Sequence, residues 1–389
     1  MRSGIERCTD ADAEPPADSG KGRPADPGKE RPADPSAEHS TGSSAGRPAG
    51  SGAERSAQSG AEHSVHSGAE GLVHPGAERY ADSVDDALDR LWETGFEFGP
   101  DFAVHAPMVA ETLAVLGCHD VIPRWIETNS RRRGHHVPPA AGGLLPEDPV
   151  EARRVALGDY RRVADWVQYF EWRLSERPWR EVLVSWWPSL MEGALSAFTH
   201  GLIRTAHAVR TLSTVPEPSE LQLNELARGM AYWAARHTPV PRKLRAEGPE
   251  VTTAAEVPAA LSELTALHAG TYARLAPHPP VPQVHAITAP AALRLVLPIL
   301  PDDLALSSYR AVASVATAVW KAVPAMPGVG PAAAEGYRPP PGRSLAADAV
   351  DLGEEHAIKL TEACLREHAL NPDDRYLAAA HTLITNCQY

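Results

Sequence analysis

Residues 189–212 read SLMEGALSAFTHGLIRTAHAVRTL. Apolar residues recur at helical spacing and no alternating strand pattern appears, so the stretch predicts one continuous helix. His200, Arg204 and His207 fall at offsets 0, 4 and 7, one stripe of that helix, with Phe198, Leu202 and Ile203 around His200. Two histidines and an arginine on one stripe of an apolar helix have two readings. They form a polar seam between helices, hydrogen-bonded within the core, or they form the wall of an active site.

The same pattern continues outward in both directions. Residues 83–91, 108–116, 119–129, 149–175 and 179–187 precede it as helical segments, and residues 130–148 read as a polar loop. Residues 221–236, 257–275, 284–300, 307–322, 354–363 and 373–385 follow it. No convincing strand appears, and no GxGxxG, GxxxxGK[ST], GxSxG or HExxH motif is present. The expected fold is all-α, a single large domain of about a dozen helices over residues 83–389.

Residues 1–82 differ in kind. RPADPGKE at 23–30 is repeated as RPADPSAE at 31–38, and four further octads run from 47 to 78. These repeats lack the apolar residues that stacked repeats need, and Pro and Gly recur, so a disordered tail is expected. Its histidines are then solvated. All nine tryptophans lie beyond residue 83.

A formal net charge of −13 argues against a nucleic-acid binder, which needs a basic surface. Arg131, Arg132 and Arg133 read as part of the solvated loop. The cysteines at 8, 118, 364 and 387 form no CxxC pair, so neither a disulfide framework nor a cysteine zinc site is expected. That usage suits a reducing cytoplasm. No run of 18 apolar residues exists, and no membrane span is expected.

Near the C-terminus, EEHAIKLTEA at 354–363 opens with two acids, as a helix N-terminus favours. His356 and Lys359 then share a face. Alone, the segment also fits a capped surface helix with two solvated cations. His105, His200, His285 and His356 share a context, each at a helix start or within a helix among apolar or small residues. Imidazoles brought together in a helical interior suit Fe, Zn, Cu or Ni.

The blocks FAVHAPM (102–108), HGLIRTAHA (200–208), HAIT (285–288) and HAIK (356–359) resemble those of the questin oxidase family. That family includes fungal enzymes that open anthraquinone rings in polyketide biosynthesis, described as Baeyer–Villiger-type oxidases. The resemblance spans about residues 85–385. In a fungal relative the metal is a mononuclear non-haem iron, held by four histidines and a lysine carboxylated on its side-chain nitrogen. Carried over by motif, the resemblance implies His105, His200, His285, His356 and Lys359 as ligands of Fe(II). It further implies O2 as co-substrate, a small aromatic polyketide as substrate, and one open metal position. Fungal members tend to carry a second histidine four residues after the one matching His200. Here that residue is Arg204, which leaves Arg204 and His207 as substrate-facing candidates for the catalytic machinery. Some members are NADPH-dependent, but no nucleotide fingerprint is present, so no bound nicotinamide is expected. Two alternatives stay open: a metal hydrolase with a carboxylated lysine, and a non-catalytic helical interaction protein.

Overall fold

The computed structural model describes residues 75–240, 246–322 and 326–388. Among them are fourteen α-helices and one two-stranded ribbon, so the chain is all-α. No helix among the described residues is long and apolar enough to cross a membrane. The tail and its octads lie outside the described residues up to residue 74. The first helix starts earlier than the expected residue 83, because α1 spans Pro75–Arg90. Tyr80, the first bulky aromatic after the octads, is the reason. It is buried, donates to Glu111 Oε1 at 2.9 Å and lies 3.1 Å from Thr211 Oγ1. Cys118 and Cys364 carry free thiols. Cys387 is disulfide-bonded.

A short antiparallel ribbon follows α1, with β1 (Glu97–Phe98) paired to β2 (Phe102–Ala103). Its turn uses Gly99 and Asp101 at positive φ. α2 (Ala106–Val115) starts with Pro107 in its first turn, where the missing N–H costs nothing. α3 runs Ile122–Arg133 and takes the three arginines out of the expected loop. After α4 (Pro149–Ala156), α5 (Val163–Glu176) and α6 (Trp179–Glu192) carry an aromatic core. Trp186 stands edge-on to Trp166 and Phe170 with ring centroids 5.4 and 5.1 Å apart. Such pairs add about 1 kcal/mol each beyond burial.

The stretch 189–212 is not one helix. α6 ends at Glu192 and α7 (His200–Thr214) begins at His200. Between them Ala197, Phe198 and Thr199 have φ of 45°, 52° and 74°. Each non-glycine residue there costs about 1 kcal/mol or more. Tertiary contacts overrule the helical pattern. Ser196 Oγ donates to Gly193 O at 2.5 Å and accepts from Thr238 N at 3.0 Å, while Trp233 Nε1 donates to Gly193 O at 2.9 Å. α8 (Glu220–Ala235) then packs so closely on α7 that a Cβ on Gly201 would lie 2.7 Å from Trp233 Cβ.

The rest is α9 (Val257–Leu275), α10 (His285–Val296), α11 (Asp302–Ala322), α12 (Gly342–Leu352), α13 (Glu355–Leu370) and α14 (Asp374–Asn386). α10 is the central helix, packed against α7, α9, α11 and α13.

Candidate metal centre

Four helices begin at one place. His105 precedes α2, His200 and His285 are the first residues of α7 and α10, and His356 is the second residue of α13. All four side chains are buried. His105 and His200 stack with centroids 4.6 Å apart, His356 meets His105 edge-on at 4.5 Å, and His285 meets His200 at 4.6 Å. Candidate ligand atoms of His105, His200 and His356 lie within 4.8 Å of one another.

The Nδ1 atoms show how the rings are used. His200 Nδ1 donates to Ala197 O at 2.6 Å, an oxygen supplied by the left-handed turn. His285 Nδ1 lies 3.0 Å from Thr199 Oγ1, in the same turn. His356 Nδ1 donates to Glu354 Oε1 at 2.8 Å. His105 Nδ1 lies 2.6 Å from Glu355 Oε1, a close ion-pair contact that is out of line for a straight hydrogen bond. The partners assign two tautomers: a carbonyl or carboxylate only accepts, so the Nδ1 atoms of His200 and His356 carry the proton. Their Nε2 atoms are bare when the rings are neutral.

His105 Nε2 stands 2.6 Å from His200 Nε2. With the His105 proton on Nδ1, toward Glu355, two lone pairs would meet there and a cation would join them. A proton is a poor candidate. Burial first, then the Lys359 charge and the neighbouring His356, hold both rings well below imidazole's ordinary value. Burial and the neighbouring histidines do the same to His285. The positive ends of four helices add to this disfavour. A metal ion suits the arrangement. Metal-ligating histidines typically present one nitrogen while an oxygen acceptor holds the other, and that is the pattern here.

Lys359 stands one turn after His356 and is 5% exposed. Its charge lowers the neighbouring His105, His200 and His285, and no hydrogen bond or ion pair to it is found among the described residues. Burial pushes its ammonium down to about 8, against the pull of Glu355 and Glu354. Burial alone would raise Glu354, but His356, the Ala357 N–H and Arg133 hold it below the usual carboxylate range. The free-amine fraction of Lys359 is thus far above that of an exposed lysine near neutral pH. The depression also sets a stability cost. A lysine lowered on folding carries the full penalty at every pH below its folded value. Lys359→Met is therefore expected to stabilise the metal-free chain near neutral pH by on the order of 3 kcal/mol. Urea unfolding measures this, and a destabilised Met variant contradicts it.

One side of the cluster opens on a cavity of about 370 Å³. Phe98 and Phe102 from the ribbon, Phe198 from the left-handed turn, and Val281 and Pro282 give it flat apolar walls, and all four histidines reach it. Arg133, Glu354 and Glu355 complete the polar end. The Phe198 ring also packs on His285 at 5.0 Å.

The two residues expected to face substrate lie elsewhere. Arg204 Nε and Nη2 donate to Glu225 Oε1 and Oε2 at 2.7 and 2.8 Å, a buried bidentate pair, and its Cζ lies 5.2 Å from the Phe96 ring. It borders a separate small pocket and not the cavity. One helical turn from His200 carries it to the α8 side, where Glu225 neutralises it. Arg204→Ala leaves that carboxylate unpaired and is expected to cost about 3–5 kcal/mol in urea unfolding. Metal content per folded chain should be unchanged; loss of metal without loss of stability contradicts this placement.

His207 lies behind the cluster. Its Nδ1 is 2.6 Å from Glu111 Oε2, and it shares a narrow crevice with His285, His356, Lys359 and Glu362. Glu111 also accepts from Arg210 Nε at 2.6 Å, and Arg210 Nη1 donates to Glu362 Oε1 at 2.6 Å. Arg210 and His207 hold Glu111 down at about 2 despite its burial.

No protein-family model matches this chain, and no curated protein matches it.

Sequence reasoning missed the partners that orient the histidines. Glu354 and Glu355 read as helix-start acids; the signal was their place directly before His356. Nothing in ALSAFTHG marks three left-handed residues.

Proposed function

We propose that the chain is an oxygen-dependent oxidoreductase of the questin oxidase type, acting on a flat polycyclic aromatic substrate at a mononuclear non-haem iron. The observation that carries this is the 2.6 Å approach of the His105 and His200 Nε2 atoms beside an aromatic-walled cavity. The blocks that resemble the family supply the choice of iron over other imidazole-binding metals.

His105, His200, His285 and His356 would hold the ion through Nε2, with Lys359, carboxylated, adding an anionic oxygen. When bound, Fe(II) supplies the one-electron chemistry that lets O2 react with an organic molecule. The chain does the rest. Glu354, Glu355, Ala197 O and Thr199 fix ring orientation and raise the basicity of the ligating nitrogens. Phe98, Phe102 and Phe198 take a flat ring system against their faces and exclude water from it. The crevice behind Lys359 leaves that amine a second boundary away from the substrate. No bound nicotinamide is part of the proposal.

A binuclear hydrolase fits less well. The carboxylates nearest the histidines are already engaged: Glu354 by His356 and the Ala357 N–H, Glu355 by Asn129 and Arg133, and Glu362 by Arg210 and Arg366.

The test is oxygen uptake by Fe(II)-loaded and Zn(II)-loaded chain with a panel of hydroxyanthraquinones. Uptake matched by loss of the quinone absorbance, with iron only, is the expected result. Equal turnover with zinc and no oxygen uptake contradicts it.

A further inference from the structure

We propose that Arg133 is the specificity-determining residue of the cavity and that it binds an anionic oxygen, a carboxylate or phenolate, on the aromatic substrate. This rests on the cavity belonging to an aromatic substrate, as proposed above, but not on iron being the metal.

Arg133 differs from its two neighbours. Arg131 is 74% exposed and pairs with Glu127 on the surface. Arg133 is the last residue of α3, its side chain is 13% exposed, and it lines the cavity. The C-terminal end of a helix favours a cation there. Its Cζ sits 4.6 Å above the Phe98 ring, which fixes the guanidinium plane. One nitrogen is committed: Nη2 lies 3.0 Å from Glu355 Oε1. Nε is buried with no hydrogen-bond partner. A buried donor left unpaired costs about 1–3 kcal/mol, and a small shift of the side chain toward an incoming acceptor would relieve it.

The lining carries three carboxylates as well, so the anion's site is local to Arg133. Arg133 is the one guanidinium among the lining residues. Glu354 and Glu355 are each shared with a histidine. Asp101 is at the rim, 67% exposed, with Arg236 at 3.8 Å, so water and that arginine offset it. An oxygen anion at Arg133 gains a charge-assisted hydrogen bond while its ring system lies against Phe98 and Phe102, whose centroids are 5.6 Å apart. The competing role is structural, with Arg133 only steering Glu355 toward His105.

The experiment is fluorescence titration of the full, metal-free chain with an anthraquinone carboxylic acid and with its methyl ester. Wild type, Arg133→Met and Arg133→Lys are compared. Wild type is expected to bind the acid at least about tenfold more tightly than the ester. Arg133→Met should lose about tenfold for the acid while holding the ester within about twofold, which also shows that it is folded. Arg133→Lys should keep part of the preference, because the charge stays and the planar fork is lost. The proposal is overturned if wild type binds acid and ester equally or binds neither, or if Arg133→Met keeps the preference. It is also overturned if acid and ester weaken together, the result of a purely structural role. Iron is absent throughout, so failure here and failure of the iron reading are separate results.

Discussion

The His200→Ala chain, loaded anaerobically with Fe(II) and desalted, is expected to retain less than about one-tenth of the iron that wild type retains. Changes to the groups that merely orient metal ligands cost about 10–100-fold in affinity, and removing the ligand itself costs more. His200 is the most exposed to this argument. Its Nε2 stands 2.6 Å from that of His105, and its Nδ1 is held by the strained turn. Removing it deletes one donor and relieves the 2.6 Å contact with His105, while Trp233 and Thr238 still hold the turn. The apoprotein should therefore fold as well as wild type or better. Iron content measured beside the circular-dichroism melting curve separates the two effects. Full iron retention by a folded His200→Ala chain means that His200 is not a ligand.

Acid should unfold the metal-free chain unusually steeply. Burial lowers His105, His200 and His285 well below 6.5 in the folded state. The unfolded chain binds those protons near the ordinary value and the folded chain does not. The stability they contribute is thus complete above about pH 6.5 and is lost as pH falls. Each histidine that stays neutral adds a slope that approaches about 1.4 kcal/mol per pH unit about one unit below that pH, so these three approach about 4 kcal/mol per unit, and His207 and His268, which burial also lowers, add to it. The rings are close enough to titrate as a group, so the slope belongs to the cluster. Lys359 does not contribute in this window, because it is protonated in both states below about 8. Glu111, Glu354 and Glu362 are lowered carboxylates whose loss comes at more acid pH. Urea midpoints measured between about pH 7 and pH 5.5 check this, and His285→Gln should flatten the slope by up to about 1.4 kcal/mol per pH unit. A flat profile contradicts the burial of three neutral imidazoles.

Much of the fold and part of the site were legible in the chain. Helical periodicity gave the all-α class because long amphipathic segments have no competing strand solution. His105, His285 and His356 each stand at a helix start, marked by Pro107, by the break at 277–281 and by the acids at 354–355. His200 was placed within a helix, and it too is a helix start. The pattern failed where distant residues decide. Trp233 and Thr238 hold the 193–199 segment out of a helix that its own composition favours. Glu225, on α8, takes Arg204 away from the cavity, and Phe98 brings Arg133 into it. None of those partnerships leaves a periodic trace. Sequence spacing assigned Arg204 and Arg133 to opposite roles from the ones their neighbours impose.

The central claim is that four histidines from four helix starts hold one iron. Anaerobic Fe(II) titration of metal-free wild type, followed by iron-edge X-ray absorption on the loaded chain, tests it most directly. The expected result is saturation at one iron per chain with strong imidazole scattering, abolished by His105→Ala or His356→Ala. Saturation at two metals per chain, iron scattering without imidazole, or no retained iron in a folded chain would contradict it.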